Sequence, residues 1–141
     1  MIIRKANPAD ASHLVRLLEQ LEHPLDITVV REKIHAYKLA NYHLLVSEVN
    51  NQVIGFASLH WYDVFYSPGY VGRITAFCID EKFRSKGLGR TLLQAVEEFF
   101  KTRGCIRIEV SSNERRSGAH QFYLSNGYII NSKRFIKPIA S

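Results

Sequence analysis

The most constraining feature of the sequence is a buried strand pattern that passes through a basic, glycine-containing loop into a helix. Residues 70–79 are largely apolar on both faces of a strand, which indicates a central strand covered on both sides. The loop Arg84-Ser85-Lys86-Gly87-Leu88-Gly89 follows, and apolar residues then recur at helical spacing over residues 88–99. A strand that leads directly into a packed helix is typical of α/β sheets, so we expect a mixed α/β fold.

The rest of the chain adds alternating strand and helix patterns. Strands are predicted at residues 1–6, 42–49, 52–62, 70–79, 105–111 and 128–137, and helices at 8–22, 28–40, from Leu88 to the stop at Gly104, and around Ala119–Tyr123 before Gly127. Asn7 and Pro8 form a helix start, and residues 63–69 are predicted to be a loop. The predicted order is βααβββαβαβ, in one domain over residues 1–141.

Charge is distributed unevenly along the 141 residues, whose formal net charge is +6. Residues 1–70 carry six Lys and Arg against seven Asp and Glu, whereas residues 71–141 carry thirteen against six. The second half would therefore attract a polyanion, and nucleic acid, an acidic membrane surface or a phosphorylated cofactor would each satisfy that charge.

Targeting and cysteine signals favour a cytoplasmic protein. The first residues lack the long apolar segment of a secretory signal, and no apolar run approaches the length of a membrane span. Cys78 and Cys105 lie in apolar strand patterns without metal-binding spacing, so we expect reduced core residues. No histidine pair has metal-ligand spacing, and we expect no metal.

The basic loop has the properties of an anion site. A helix N-terminus presents unpaired amide groups and the positive end of the helix dipole, and glycines let the backbone approach an anion closely. Arg84, Lys86 and Arg90 add positive charge. The spacing fits neither the nucleotide P-loop nor the dinucleotide fingerprint, because Gly87 lacks the P-loop partner and Leu92 replaces the third glycine of the fingerprint.

At these residues the chain resembles the GCN5-related N-acetyltransferase (GNAT) superfamily. Its pyrophosphate motif, [RQ]-x-x-G-x-[GA], is matched by Arg84, Gly87 and Gly89. The segment from Ala119 to Tyr128 matches the family's A-x-x-F-Y-x-x-x-G-[FY] motif. The resemblance implies a single-domain GNAT fold that uses acetyl-CoA as co-substrate to acetylate an amine.

The resemblance also implies which residues bind acetyl-CoA. The backbone of the central strand would pair with the pantetheine arm, and the amides of the loop would hold the pyrophosphate. The next strand would splay away and leave a wedge for the thioester. The implied set is Phe77, Cys78, Ile79, Arg84, Ser85, Lys86, Gly87, Leu88, Gly89, Arg90, Asn113 and Tyr123.

Acetyl transfer needs a neutral amine, donors for the oxyanion and a proton for the leaving thiolate. By resemblance, Tyr123 is the acid, and the Ile79 amide is the oxyanion donor. Glu109 resembles the glutamate that serves as base in ribosomal-protein N-terminal acetyltransferases. Its alternative role is structural, as an ion-pair partner of Arg107 or Arg73.

The acceptor site is predicted from aromatic residues near the third-to-fourth strand connection. The cluster consists of His60, Trp61, Tyr62, Tyr66 and Tyr70. These rings could receive a cationic amine on their faces, or else pack as surface residues. His23, between the first two helices, is a further candidate. The pattern also resembles aminoalkylphosphonate N-acetyltransferases at residues 42–44 and 120–124. Residues 72–75 carry no carboxylate where those enzymes carry a glutamate.

Three functions remain open from the sequence. The first is an enzyme that acetylates a small-molecule or protein amine, and the second is a catalytically weak module that binds acetyl-CoA for regulation. A nucleic-acid-binding domain is the third, but the chain has no recognition-helix, zinc-finger or RNP-like pattern. We expect no nucleic-acid or membrane partner, and a homodimer is left open.

Overall fold

The computed structural model describes residues 1–111, 117–131 and 134–139, which form two compact units, Met1–Ser111 and Ser112–Ser141. The division of the chain into one domain therefore stays a prediction. Within the described residues, no helix is long and apolar enough to cross a bilayer.

A five-stranded sheet forms the first unit. Its strands are β1 (Ile2–Lys5), β2 (Tyr42–Val49), β3 (Gln52–Val64), β4 (Ser67–Ile79) and β5 (Cys105–Val110), and they lie side by side in this order. The first four pair antiparallel, whereas β5 pairs parallel to β4 because a helix makes the crossover between them. The prediction of a mixed α/β fold is confirmed.

Three helices accompany this sheet: α1 (Ala11–Gln20), α2 (Ile27–Ala36) and α3 (Leu88–Thr102). A 3₁₀ turn at Pro8–Asp10 precedes α1, and the predicted start is confirmed because the Asn7 side chain accepts a hydrogen bond from the Ala9 amide. Helix α2 begins one residue before the predicted Thr28, because Asp26 caps it by accepting from the Thr28 amide.

The helices cover both faces of the sheet. Helices α1 and α2 enclose the main core, in which Leu17 and Val46 are fully buried. On the opposite face, α3 places Phe100 against Gly72 of β4 and Phe99 against Trp61 of β3. Both faces of β4 are therefore covered along part of its length, which explains its apolar pattern.

The loop predicted at residues 63–69 is only a two-residue turn at 65–66. The other residues of the segment belong to β3 and β4, with Asp63 paired to Tyr70 and Val64 paired to Ser67. Pro68 cannot donate a ladder hydrogen bond, but a register shift at this point and a φ of +85° at Gly69 accommodate it. The hairpin therefore forms although it contains a proline–glycine pair, which is typical of a loop.

The second unit contains one described helix, α4 (Ser117–Ser125). Gly127, with a φ of +91°, ends it as predicted, and the Tyr128 amide donates to the Tyr123 carbonyl at 3.0 Å. The predicted strand at residues 128–137 is not found in its described parts, 128–131 and 134–137. Side chains there, such as Ile129 and Phe135, are exposed, and β-rich composition alone does not supply the ladder that a strand requires.

Candidate active site

The cradle loop, residues 84–89, bends sharply before α3. Ser85 has a φ of +62° and Gly87 a φ of +79°, so the backbone turns through two left-handed positions. The first helical hydrogen bond runs from the Thr91 amide to the Gly87 carbonyl at 3.2 Å. The amides of residues 88–90 precede it and belong to the set of donors that a helix N-terminus leaves for an outside acceptor.

The space beside Gly87 shows whether this loop has room for a pyrophosphate. A Cβ atom built on Gly87 would meet no protein atom within 4 Å, so no protein atom fills the space beside this residue. Glycine is required by the positive φ, and its bare Cα leaves room for an anion beside the helix amides. The loop therefore has space for an anion beside the first amides of α3.

Asp80 stabilises the start of this loop through hydrogen bonds and an ion pair. It was not among the site residues predicted from the sequence. Asp80 is only 1 % exposed, accepts from the Lys82 amide at 3.0 Å and forms a salt bridge with Arg16 of α1. Gln20 of α1 donates to Asp80 and accepts from the Glu81 amide at 2.9 Å. Burial acts to raise the pKa of Asp80, but these donors outweigh it and hold the pKa below its ordinary value.

The predicted phosphate-binding cations have further contacts. Arg84 donates through Nε to the Ile79 carbonyl at 2.8 Å, which ties the loop to the end of β4. The Lys86 ammonium group lies 5.6 Å from the centroid of the Phe83 ring. Arg84, Lys86 and Arg90 are all exposed, so each lies at the surface beside the cradle.

Among the described residues, the pairing of β4 with β5 ends before β4 does. The last paired residues are Ile74 and Val110, while β4 continues to Ile79. A register shift beside Ser58 leaves Thr75 as an extra residue in β4. The predicted pantetheine-binding residues Phe77, Cys78 and Ile79 lie in this continuation. Asn113 lies outside the described residues.

Cysteine burial agrees in part with the expectation. Cys78 is buried in the core, as predicted, and its thiol lies 3.7 Å from the Leu17 carbonyl oxygen, to which it donates. Cys105 is only half-buried, because it lies at the first position of the edge strand β5. In the described part of the chain, no cluster of histidine, cysteine and carboxylate side chains could hold a metal ion.

Tyr123 lies in α4 of the second unit. It is 8 % exposed, and its ring packs against Phe122 and Tyr128 at centroid distances of 5.2 and 5.5 Å. Burial raises the pKa of Tyr123 well above the ordinary tyrosine value. Its hydroxyl group therefore stays protonated and gives up its proton less readily than that of an ordinary tyrosine.

Glu109 is held by two arginines. Its Oε2 atom lies 2.9 Å from Arg107 Nε, and its Oε1 atom lies 3.6 Å from Arg73 Nη1. Arg107 also donates to the Tyr66 hydroxyl at 2.9 Å, and Arg73 donates to the Ser111 hydroxyl at 2.7 Å. The ion-pair alternative considered for Glu109 is therefore present, and it brings Tyr66 into the same cluster.

Four rings form a row on the sheet, which we call the aromatic row: Tyr37, Tyr42, His60 and Tyr62. Their successive centroids are 5.1, 4.2 and 5.4 Å apart. His60 pairs in register with Arg73, which pairs with Glu109. Because paired residues of neighbouring strands point to the same face, the row and the Glu109 cluster share one face of the sheet.

Other predicted acceptor residues lie elsewhere. Trp61 points to the opposite face, where Phe99 lies 5.4 Å away and the Arg103 guanidinium group stacks 5.7 Å from its ring centroid. His23 lies in the exposed turn after α1, and its amide donates to the Leu18 carbonyl. The strand alternation separates Trp61 from His60.

A small cleft of about 100 Å³ adjoins the aromatic row at Tyr37. Its walls are mostly apolar side chains of α1, α2 and the sheet, and Lys33 is its charged residue. At its floor, the Ser58 hydroxyl donates to the Tyr37 hydroxyl at 2.9 Å and lies 2.7 Å from the Thr75 hydroxyl. Sequence reasoning missed this polar chain, because none of these residues belongs to a recognisable motif.

The family is shown by a direct match. A model of the acetyltransferase (GNAT) family matches residues 12–128, so the chain belongs to the GNAT family. It is 30 % identical over 139 residues to an aminoalkylphosphonate N-acetyltransferase of Salmonella typhimurium, a match that covers 97 % of this chain and 90 % of that protein. The protein is accordingly an acyl-CoA-dependent N-acetyltransferase.

Solved structures agree with the fold. A GNAT family acetyltransferase of Staphylococcus aureus superposes with a TM-score of 0.84 at 28 % identity and covers 98 % of both chains. An aminoglycoside N-acetyltransferase in complex with CoA has a TM-score of 0.86 at 15 % identity and covers 99 % of this chain and 95 % of its own. These matches confirm the predicted GNAT fold.

Proposed function

We propose that this protein transfers an acetyl group from acetyl-CoA to the primary amine of a small molecule. The observation that carries the proposal is the cradle loop, whose left-handed turn at Gly87 opens beside the first amides of α3. The continuation of β4 beyond its pairing with β5 adds support, since it offers a strand for the pantetheine arm. When bound, acetyl-CoA supplies the thioester that the amine attacks.

The residues of the chain have distinct roles in this proposal. The amides of residues 85–90 bind the pyrophosphate, and Ile79 offers its amide to the developing oxyanion. Tyr123 supplies the proton for the departing sulfur, a role that the family resemblance implies. The family resemblance implies Glu109 as the base, whereas its ion pairs with Arg73 and Arg107 support its alternative, structural role.

For the acceptor, we propose an amine that also carries an anionic group, such as an aminoalkylphosphonate. The relative at 30 % identity is named for that substrate class. On the face that bears the aromatic row, Arg73 and Arg107 share the single carboxylate of Glu109, which leaves an excess of positive charge. Residues 72–75 still lack the glutamate of the resembled enzymes, so this chain would recognise or deprotonate its acceptor differently.

The alternative of a catalytically weak regulatory module is not favoured. The matching family is described as acetyltransferases, and the relative at 30 % identity is named as an enzyme. The cytoplasmic location and the homodimer remain proposals. We likewise propose no nucleic-acid or membrane partner, because the phosphates of coenzyme A account for the basic half of the chain.

The cofactor site is tested by Gly87→Ala with Gly104→Ala as the matched control. Both glycines have nearly the same positive φ, +79° and +77°, and a Cβ on either meets no protein atom. Each variant should therefore lose a similar stability, about 1–2 kcal/mol. Only Gly87→Ala places a methyl group in the cradle, and we expect at least a tenfold weaker affinity for acetyl-CoA by calorimetry.

The same experiment can refute the proposal. Acetyl-CoA should raise the Tm of the wild type and of Gly104→Ala by mass action. If millimolar acetyl-CoA leaves the wild-type Tm unchanged, the cofactor assignment is wrong. Equal affinities of the two variants would show that the cradle loop does not hold the pyrophosphate. Acetyl-CoA consumption with aminoalkylphosphonates, polyamines, aminoglycosides and amino acids would then identify the acceptor.

A further inference from the structure

His60 has a fixed tautomer. Its Nδ1 atom lies 2.9 Å from the backbone carbonyl oxygen of Asn41. A carbonyl oxygen can only accept, so Nδ1 carries the proton in this hydrogen bond. The neutral ring therefore has its lone pair on Nε2, the atom that can take up a proton.

The His60 ring is also fixed in orientation. It stacks on Tyr42, with centroids 4.2 Å apart and planes inclined by 15°, and on Tyr62 at 5.4 Å and 27°. Asn41 has a φ of +70°, and its carbonyl also accepts from the Trp61 amide at 3.1 Å. Within the described part of the chain, no hydrogen bond reaches Nε2, and the residue is only half-buried.

His60 lies next to the last described pair between β4 and β5. Its register partner is Arg73, and the next residue, Ile74, is the last one of β4 that pairs with β5. Neighbouring strands are roughly 5 Å apart and a strand rises roughly 3.3 Å per residue. The ring is therefore within reach, through one water molecule, of an amine that approaches the wedge from the face of the aromatic row.

Glu109 is less suited to the same task. Each of its carboxylate oxygens faces a guanidinium group, and it is separated from His60 by Arg73. A proton taken by Glu109 would break an ion pair, whereas one taken by His60 Nε2 would break no hydrogen bond among the described residues. The titratable and charged groups that face His60 directly or through one neighbour are Tyr37, Tyr42, Tyr62, Arg73 and Glu109.

We propose that His60, rather than Glu109, is the general base that deprotonates the acceptor amine. This inference rests on the proposed acetyl transfer. Nε2 takes one proton from the acceptor ammonium group through a water molecule, and the neutral amine then forms the N–C bond as the C–S bond breaks. Tyr123 donates its proton to the departing sulfur, and the resulting phenolate takes up the second proton that the amine nitrogen releases through water. His60 finally releases the first proton to solvent, so one proton is released per turnover.

The test is the pH profile of kcat/KM with acetyl-CoA and 2-aminoethylphosphonate as the probe acceptor. If His60 takes the proton from the ammonium form of the acceptor, kcat/KM of the wild type should be nearly independent of pH between pH 7.5 and 9. His60→Gln must instead use the small fraction of amine that is already neutral, so its kcat/KM should rise close to tenfold per pH unit. At pH 7.5 we expect kcat/KM of His60→Gln to be about 100-fold below that of the wild type, and this difference should become smaller at higher pH.

Two matched variants separate this role from others. His43→Gln removes an imidazole from the opposite face of the sheet, where His43 stacks on Phe99 at 4.2 Å, and should keep the wild-type profile shape. Glu109→Gln should also keep that shape. If Glu109→Gln shows the steep profile and His60→Gln does not, the base is Glu109 and the inference is overturned. A pH-independent deficit in His60→Gln would indicate a structural role and also overturn it.

A second measurement does not depend on turnover. Ring ¹⁵N shifts of the wild type should show His60 as the neutral tautomer with its proton on Nδ1, and a proton on Nε2 would overturn the inference even in a fully active enzyme. If the wild type binds acetyl-CoA but acetylates no amine of the panel, the proposed function itself fails, and the base assignment falls with it. Should His60→Gln not fold, His60→Asn repeats the profile.

Discussion

The contact between Gly72 and Phe100 gives a sharp prediction for the stability of the fold. A Cβ atom on Gly72 would lie 2.7 Å from two carbons of the Phe100 ring and 2.9 Å from a third. Favourable carbon–carbon contacts are about 3.5–4.0 Å, so Gly72→Ala must displace the ring or the strand. Phe100 is fully buried between α3 and the sheet and cannot turn outward into solvent.

The expected change in the free energy of unfolding of Gly72→Ala is the difference between two opposing effects. Overpacking a well-packed core costs about 1–3 kcal/mol. Alanine also restricts the unfolded chain, which returns about 0.4–1 kcal/mol. We therefore expect Gly72→Ala to lower the free energy of unfolding by about 1–2 kcal/mol and the Tm by several degrees.

Urea unfolding measures this cost, with the fluorescence of Trp61, the single tryptophan, as the probe. Gly118→Ala is the control, because a Cβ at Gly118 meets nothing within 4 Å and its backbone φ is not left-handed. The free energy of unfolding of Gly118→Ala should be no lower than that of the wild type. In a Phe100→Leu background, Gly72→Ala should cost less than in the wild type, because the clashing ring is gone. If the cost is the same in both backgrounds, or absent in the wild type, the steric argument is refuted.

Two further predictions concern Tyr123 and Asp80. Tyr123→Phe keeps the ring that packs on Phe122 and Tyr128, so we expect kcat to fall by about 100-fold with little change in acetyl-CoA affinity; an unchanged kcat in steady-state assays would exclude Tyr123 as the acid. Asp80→Asn should lose about 2 kcal/mol at pH 7, where the carboxylate accepts from the Lys82 amide and Arg16. Because the folded-state pKa of Asp80 is lowered, its contribution is complete above the unfolded pKa of about 3.9 and is lost as the pH falls through the folded value. Urea unfolding of both proteins at pH 7 and in steps below pH 4 should show the difference shrinking, and a constant difference would contradict this linkage.

The sequence predicted the elements whose signals are local. Asn7 and Pro8 marked the start of the first helical segment, and β2 spans Tyr42–Val49 as expected. The cradle loop was found because a turn at a helix start requires glycine and leaves amides unpaired, and both requirements are visible in adjacent residues. These features depend on a few neighbouring residues, so pattern and structure agree.

The features that were missed depend on distant partners. The strand predicted at residues 128–137 has suitable composition, but composition does not reveal whether a ladder partner exists. Sequence grouped His60 with Trp61 because they are adjacent, whereas strand alternation sends them to opposite faces. The ion pairs of Glu109 were considered as an alternative from the sequence, but the pair with Arg73 depends on the parallel register of β4 and β5, which the sequence did not specify.

The contacts between α1 and the start of the cradle loop have a consequence for the order of folding. Arg16 and Asp80 are separated by 64 positions in the chain, and Gln20 reaches Glu81 across 61. Closing loops of this length costs entropy that must be offset by contacts formed at the same time. Helix α1 must therefore already lie on the sheet before residues 80–84 can settle. We expect the cofactor-binding loop to be among the last segments to gain protection from hydrogen exchange during refolding.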